Sequence, residues 1–392
     1  MERSSRQVYL DHCATTPIDS RVVEAMMPYY SGEYGNASSI HAYGRKARHV
    51  LEESRERIAR FIGAKYDELF FTSGGTESDN HAVYGIARAS LKNQKRTIVT
   101  TTVEHHAVLD PIQSLRADGF VGRFVRVDSN AMVDPDSVKR ELDDNTALVS
   151  VVHANNEVGT IEPLREIASL CRERGIVFHT DAVQSVGKIP VNVDELGVDV
   201  LSMSAHKIYG PKGIGAIFIR KGTRIESLMK GGPQESNRRA GTENIPLAVG
   251  FAKAIEICSE QMEEDNSRIG HLRELLRQGV ASQFENVLFN GHPTESLSHV
   301  LNVSFDASKR PVDGEALIMG LDLHGIAVTS GSACTSGSLQ PSHVLLAMGR
   351  DERTARATVR FSLGRGTSEE DISYTIDALK EVVAKAEQKV NT

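Results

Sequence analysis

Between residues 68 and 220 the chain alternates short, β-branched apolar runs with stretches of helical periodicity, and no other feature narrows its fold as far. Strands are predicted at ELFFTS (68–73), RTIVTTT (96–102), ALVSVVH (147–153), IVFHTDA (176–182), VLSMSAHK (200–207) and GAIFIR (215–220). Helices are predicted in TESDNHAVYGIARA and over Pro163–Arg174. Strands that are apolar along their whole length are buried on both faces. Alternated with helices, they imply an α/β fold built on a mostly parallel sheet with helices over both faces. Ligands of such sheets sit at the carboxyl ends of the strands.

A long helical pattern begins at Ile245, with Leu247, Phe251, Ala254, Ile255 and Cys258 on one face. It is expected to bridge to a second region with strands near HVLNVSF (299–305) and ATVRFSL (357–363). The expected division is a large domain over 16–258 and a small α/β domain made of 1–15 and 259–392. A length of 392 residues, 40% hydrophobic, is enough for two such cores.

Charge excludes little but weighs against nucleic acid. Lys+Arg number 45 and Asp+Glu 52, a net charge of −7, without the basic excess of a direct nucleic-acid binder. No apolar run is long enough to span a bilayer. The opening MERSSRQVYLDHCATT has no apolar signal core, so a cytoplasmic location is expected. The four cysteines, Cys13, Cys171, Cys258 and Cys334, form no CxxC pair and are not expected to be disulfide-bonded.

Four segments fall at predicted strand ends. Ser73-Gly74-Gly75-Thr76-Glu77-Ser78 lies between a strand and a helix. It reads either as a capping turn or as an anion cradle, in which glycines admit a phosphate to free helical N–H groups. His105 follows a strand beside His106; Glu104-His105-His106 lacks the spacing of a helical zinc pair, so a metal is not expected. Asp181 either caps the next helix or pairs with a protonated heterocyclic nitrogen. Lys207 follows VLSMS and precedes a Gly/Pro turn, which would hold its amine inward, where a lysine can lose its proton and form a Schiff base. Ser204 and His206 flank it with donors suited to phosphate. A phosphate cradle, a flat imidazole, an acid and an inward lysine on one sheet are what pyridoxal phosphate requires.

The cysteines separate by context. Cys171 shares helical spacing with Leu164, Ile167 and Ala168, and Cys258 sits on the apolar face of the Ile245 helix, so both read as core. Cys13 sits in a polar turn, its role open. Cys334 has only small and polar neighbours in TSGSACTSGS (329–338), as an exposed and mobile sulfur carrier requires.

Over nearly its whole length the sequence resembles the group I cysteine desulfurases of the class V aminotransferase superfamily. The likeness is carried by YLDHCATTP (9–17), FTSGGTESDN (71–80), VEHHAVLD (103–110), NNEVGTIEP (155–163), HTDAVQSVGK (179–188), SAHKIYGPKGIGA (204–216), RRAGTEN (238–244), SGSACTSGSLQPS (330–342) and VRFSLGR (359–365). The resemblance implies the type I fold of pyridoxal-phosphate-dependent transferases, with a mostly parallel seven-stranded sheet in the large domain. It implies conversion of L-cysteine to L-alanine, with sulfur carried as a persulfide on Cys334 to acceptors such as an iron–sulfur scaffold or a thiolation relay. By the same resemblance Lys207 binds the cofactor and moves the substrate's Cα proton, His105 stacks on the ring, Asp181 pairs with the ring nitrogen, and Gln184 bonds the phenolic oxygen. Thr76, Ser204, His206 and the Gly75 backbone hold the phosphate. Thr242 reaches the partner subunit's cofactor, implying a homodimer, and Asn156 and Arg360 bind the substrate carboxylate.

Cys13, Ala37 and Pro233 depart from the pattern. A selenocysteine lyase, an aminotransferase of the same fold and a non-catalytic sulfur-relay platform are the competing readings. The identity of the acceptor, and whether Cys334 transiently ligates a nascent cluster, stay open.

Overall fold

The computed structural model describes residues 6–309, 311–331 and 340–390, with side chains to 387; Cys334 lies outside the described residues. Its strands are β1 (Val8–Tyr9), β2 (Leu69–Thr72), β3 (Thr97–Thr101), β4 (Val121–Val125), β5 (Thr146–Ser150), β6 (Val177–Asp181), β7 (Val200–Ser204), β8 (Gly215–Ile219), β9 (Val287–Asn290), β10 (Val300–Phe305), β11 (Ile326–Ala327) and β12 (Thr358–Ser362).

Seven of them form one sheet in the order β2-β8-β7-β6-β5-β3-β4. β8 runs antiparallel to β2 and β7, and every other pair is parallel. Successive side chains along a strand leave opposite faces. Phe71, Phe178 and Phe218 accordingly enter the core on one face, while Phe70, Ile98, Ile217 and Ile219 enter the core on the other. Each fully buried side chain of this size stabilises the fold by roughly 1.5–3 kcal/mol.

Within the large sheet, two elements differ from the sequence reading. β4 was not foreseen: it is one edge of the sheet, its Val121 is half exposed, and Gly122 and Arg123 break the apolar run that marks an interior strand. VLSMSAHK is strand only to Ser204; Ala205–Lys207 is a 3-10 turn. The chain must reverse there into the antiparallel β8, and Gly210 N–H closes the turn on the Ala205 carbonyl at 3.0 Å.

The helix Ile245–Gln283 is unbroken across 39 residues. Its first part, Ile245 to Cys258, joins the large core, and Ile269, Leu272, Leu276 and Val280 join a second core. That second core covers the antiparallel sheet β12-β10-β9 and takes in Val8 and Leu10 from the N-terminal arm. β1 pairs in parallel with β11, which ties the arm to the C-terminal region. The arm then runs on toward the carboxyl ends of the large sheet, where Thr16 N–H donates to the His206 carbonyl at 3.0 Å. No helix among the described residues is long and apolar enough to cross a membrane.

Candidate active site

A cavity of about 290 Å³ opens at the carboxyl ends of β2, β3, β5, β6 and β7. Its wall includes Gly75, Thr76, His105, Asn156, Asp181, Gln184, Ser204, His206, Lys207 and Arg360, residues spread across 286 positions of sequence. Thr242 is not among them; it borders a separate cavity with Gly241 and Arg239.

Lys207 leaves the 3-10 turn after β7 with its ammonium donating to the carbonyl oxygens of Cys13 and Ala14, the latter at 2.7 Å. Burial, relieved in part by its acidic surroundings, pulls the amine down to about 8. The turn is held from the N-terminal arm. The Thr16 hydroxyl donates to the His206 carbonyl at 2.9 Å and accepts from Tyr209 N–H at 2.7 Å, with Tyr209 at a left-handed φ of 64°.

Asp181 ends β6. One of its oxygens accepts Val183 N–H at 2.9 Å, and burial pushes its carboxyl upward against the opposing charges of His105 and Lys207. Asp79, on the same wall, is driven well above the carboxylate range by burial and then by the charge of Asp181. Burial thus favours the protonated form of Asp79. Gln184 is anchored by its side-chain amide, which donates to the Cys13 carbonyl at 2.9 Å. His105 caps the helix His106–Ser114, its Nδ1 accepting Ala107 N–H at 3.0 Å. That bond places any neutral-ring proton on Nε2. Burial lowers the ring's basicity, with the Asp181 charge opposing.

The residues around Gly75 fit a phosphate. The helix Gly75–Ser90 has no side-chain cap, so its first N–H groups and positive end face the cavity. The Ser204 hydroxyl is buried with no hydrogen-bond partner, a cost that an oxygen-rich ligand would remove. Gly75 has no room for a side chain, because a Cβ there would lie 2.6 Å from Val183 Cγ2. His206 is pulled down to about 4 by burial and the neighbouring lysines, so near neutral pH it offers a neutral ring. Its Nδ1 is 3.2 Å from the Thr15 hydroxyl.

Arg360 reaches the opposite wall from β12. It donates to the Asn156 carbonyl and to Asp11 Oδ1, both at 2.8 Å, and its buried Nε has no partner. The sequence reading missed the part played by Asp11, Cys13 and Ala14: the carbonyls of Cys13 and Ala14 have no side-chain signature, and the arm that also carries the Asp11 carboxylate reaches the site only through tertiary packing. Cys13 itself is 1% exposed, packed with Ala154, Leu297 and Val300, its Sγ 3.5 Å from His299 Nε2. Cys13 does lie in a turn, with its side chain packed into this apolar cluster. Cys171 and Cys258 are both buried in the large core. No group of three or more metal-ligating side chains occurs among the described residues.

The strand-end lysine and acid, with an uncapped helix and an orphaned hydroxyl beside them, define a pyridoxal-phosphate enzyme. The chain belongs to the aminotransferase class-V family, whose profile matches residues 8–375. It is 50% identical to the cysteine desulfurase IscS of Dictyoglomus turgidum over 380 residues, 97% of this chain and 95% of that protein. It is 44% identical to human cysteine desulfurase over 375 residues, 95% of this chain and 80% of that one. Among solved structures, a NifS-like protein superposes with a TM-score of 0.90 at 38% identity, covering 97% of this chain and 100% of that one. A structure of SspA in complex with cysteine superposes with a TM-score of 0.80 at 33% identity, covering 91% and 99%.

Proposed function

We propose that this chain is a pyridoxal-phosphate-dependent cysteine desulfurase that converts L-cysteine and an acceptor thiol into L-alanine and a persulfide. The observation that carries this reading is one cavity holding Lys207, Asp181 and Arg360 on its wall and Gly331 at its margin. Gly331 precedes Cys334 by three residues, and three extended residues span at most roughly 10 Å.

When bound, pyridoxal phosphate supplies an electron sink for the carbon chemistry. The Gly75 backbone, Thr76, Ser204 and His206 would hold its phosphate, His105 its ring, Gln184 its phenolic oxygen and Asp181 its ring nitrogen. Lys207 would bind it and would move the proton at the substrate Cα. An amine titrating near 8 suits both tasks, since a base works best when its basicity lies near the working pH. Asn156 and Arg360 orient the substrate carboxylate. Cys334, as thiolate, takes the substrate sulfur.

A homodimer is part of this proposal. Thr242 is exposed and borders a different cavity from the rest, as a residue serving the partner's phosphate would. Ile40 is 90% exposed and Tyr34 69%, an apolar surface that a second copy would cover. We place the enzyme in the cytoplasm, where reducing conditions keep thiols free. Its sulfur acceptors are proteins presenting a thiol or a cluster scaffold.

The test is a single turnover with L-cysteine, followed by persulfide labelling and peptide mass spectrometry. Alanine should form and the label should sit on Cys334. Alanine without protein persulfide, or a purified protein with no bound cofactor, would overturn the assignment.

A further inference from the structure

The turn Asn155–Gly159 connects the two halves of the proposed chemistry. Asn155 fixes it: its Oδ1 accepts Glu157 N–H at 2.9 Å and Val158 N–H at 3.0 Å, and its Nδ2 donates to the Val103 carbonyl at 2.9 Å. From β10, Asn302 Nδ2 donates to the Glu157 carbonyl at 3.1 Å. Glu157 is therefore buried on a rigid support, 3% exposed. Its neighbour Asn156 lines the cavity and accepts from Arg360.

The Glu157 carboxyl meets the chain on both sides of the segment that bears Cys334. On the near side, a Cβ at Gly331 would lie 2.6 Å from Glu157 Oε2, so the glycine backbone, at φ 94°, rests directly on the carboxyl. On the far side, the Ser342 hydroxyl donates to the same Oε2. Ser342 Oγ itself accepts Val344 N–H at 3.1 Å and Leu345 N–H at 3.2 Å as the cap of the helix His343–Ala347. With its acceptor capacity used by those two amides, its proton is free for Glu157. Ten residues separate Gly331 from Ser342, and a single buried oxygen touches both.

We infer that Glu157 is a positioning residue for the sulfur-transfer step, fixing both ends of the Cys334-bearing segment against the substrate cavity. The inference rests on the desulfurase reading. In that step the Cys334 thiolate forms an S–S bond to the substrate sulfur as the substrate C–S bond breaks. The bonding pair stays with carbon, which gains a proton on the way to alanine. Glu157 touches none of these atoms; it sets where the two ends of the segment stand. The carbon chemistry at Lys207 does not depend on it.

The experiment measures two rates in the cofactor-loaded enzyme: exchange of the substrate Cα proton in D2O, and single-turnover labelling of Cys334 as persulfide. Glu157→Ala should slow the labelling roughly tenfold or more, as expected for loss of a buried hydrogen bond to a charged group, and leave exchange within about twofold. Glu157→Gln, which keeps an acceptor oxygen, should recover most of the rate. Ser342→Ala, which removes the other partner of Glu157 Oε2 and lies outside the cavity wall, should reproduce the selective loss and covers the case in which Glu157→Ala folds poorly. Equal slowing of both rates, or unchanged labelling in Glu157→Ala and Ser342→Ala, would overturn the inference. A wild-type enzyme that makes alanine without labelling Cys334 would instead overturn the desulfurase reading itself.

Discussion

Arg360 reaches across from β12 to donate to Asp11 at 2.8 Å, joining the C-terminal sheet to the N-terminal arm inside the cavity. A guanidinium has five N–H donors. Two are committed here to fixed acceptors, Asp11 and the Asn156 carbonyl, which locks the plane of the group and leaves the rest for a ligand carboxylate.

Removing that group should damage substrate binding alone. In Arg360→Ala the apparent affinity for cysteine should fall by a factor that corresponds to about 2–5 kcal/mol, the usual cost of a buried charge-assisted contact. The absorption spectrum of the bound cofactor should not change. Arg360→Lys should recover little, because a lysine cannot hold Asp11, Asn156 and a carboxylate in one plane. Steady-state kinetics with cysteine, beside absorption spectra, checks this; an unchanged KM would remove Arg360 from the substrate site.

The Lys207 amine, lowered to about 8, predicts how the apoprotein takes up its cofactor. Only the unprotonated amine attacks a carbonyl. Below that value the free fraction falls tenfold per pH unit; above it the fraction saturates. The uptake rate should rise as pH increases through about 8 and level off beyond. His105 and His206, both lowered by burial, stay neutral throughout this window and add no step. Borohydride treatment of the holoenzyme should then fix the cofactor on Lys207 in a peptide map.

Ser204→Ala should act in opposite directions on apo and holo protein. Its hydroxyl is buried without a partner, so removing it should relieve the apoprotein of about 1–3 kcal/mol. The holoprotein should lose a phosphate contact and retain pyridoxal phosphate more weakly. Thermal unfolding with and without cofactor reads both signs, and a lower Tm in the apoprotein would contradict the orphaned-hydroxyl assignment.

Asp79 and Asp181 should respond differently to amidation. Asp79→Asn replaces an acid that keeps its proton with a neutral group of the same shape, and should retain most activity. Asp181→Asn removes the carboxyl proposed to pair with the ring nitrogen and should abolish turnover while the chain still folds. Equal loss in both variants would mean that the charge is shared between them.

Serine replacement should sort the cysteines. Cys334→Ser should keep the fold and the spectral response to cysteine but form no persulfide on the enzyme. Cys171 and Cys258 are 1% and 2% exposed in the large core. Burial raises both thiols, Cys171 to about 12, so neither is a nucleophile near neutral pH. Their serine variants should lose stability by about 1–3 kcal/mol, from burying a hydroxyl, and keep full turnover. Denaturant titration beside a turnover assay separates the two effects.

Interior strands were legible in the sequence because burial on both faces demands an unbroken apolar run, and β5, β7 and β8 are buried along their whole length. β4 was not, because one of its sides meets solvent. Lys207, Asp181, His105 and Ser204 could be picked out because strand ends are where such a sheet binds ligands, and each of these side chains is informative by type. Thr329 and Gly331, also on the cavity wall, gave no signal beyond their place before Cys334.

By itself, then, the sequence determined the α/β alternation, the residues that stand at the strand ends and the burial of Cys171 and Cys258, since each follows from local periodicity and residue type. Tertiary structure alone decided the rest. It laid the arm Asp11–Thr16 along the cavity, supplied two main-chain carbonyls to Lys207, buried Cys13 against His299, and set one oxygen of Glu157 between Gly331 and Ser342. The reason is physical. These contacts join groups more than 150 residues apart, some through backbone atoms and some through side chains distant in sequence, which no local pattern encodes.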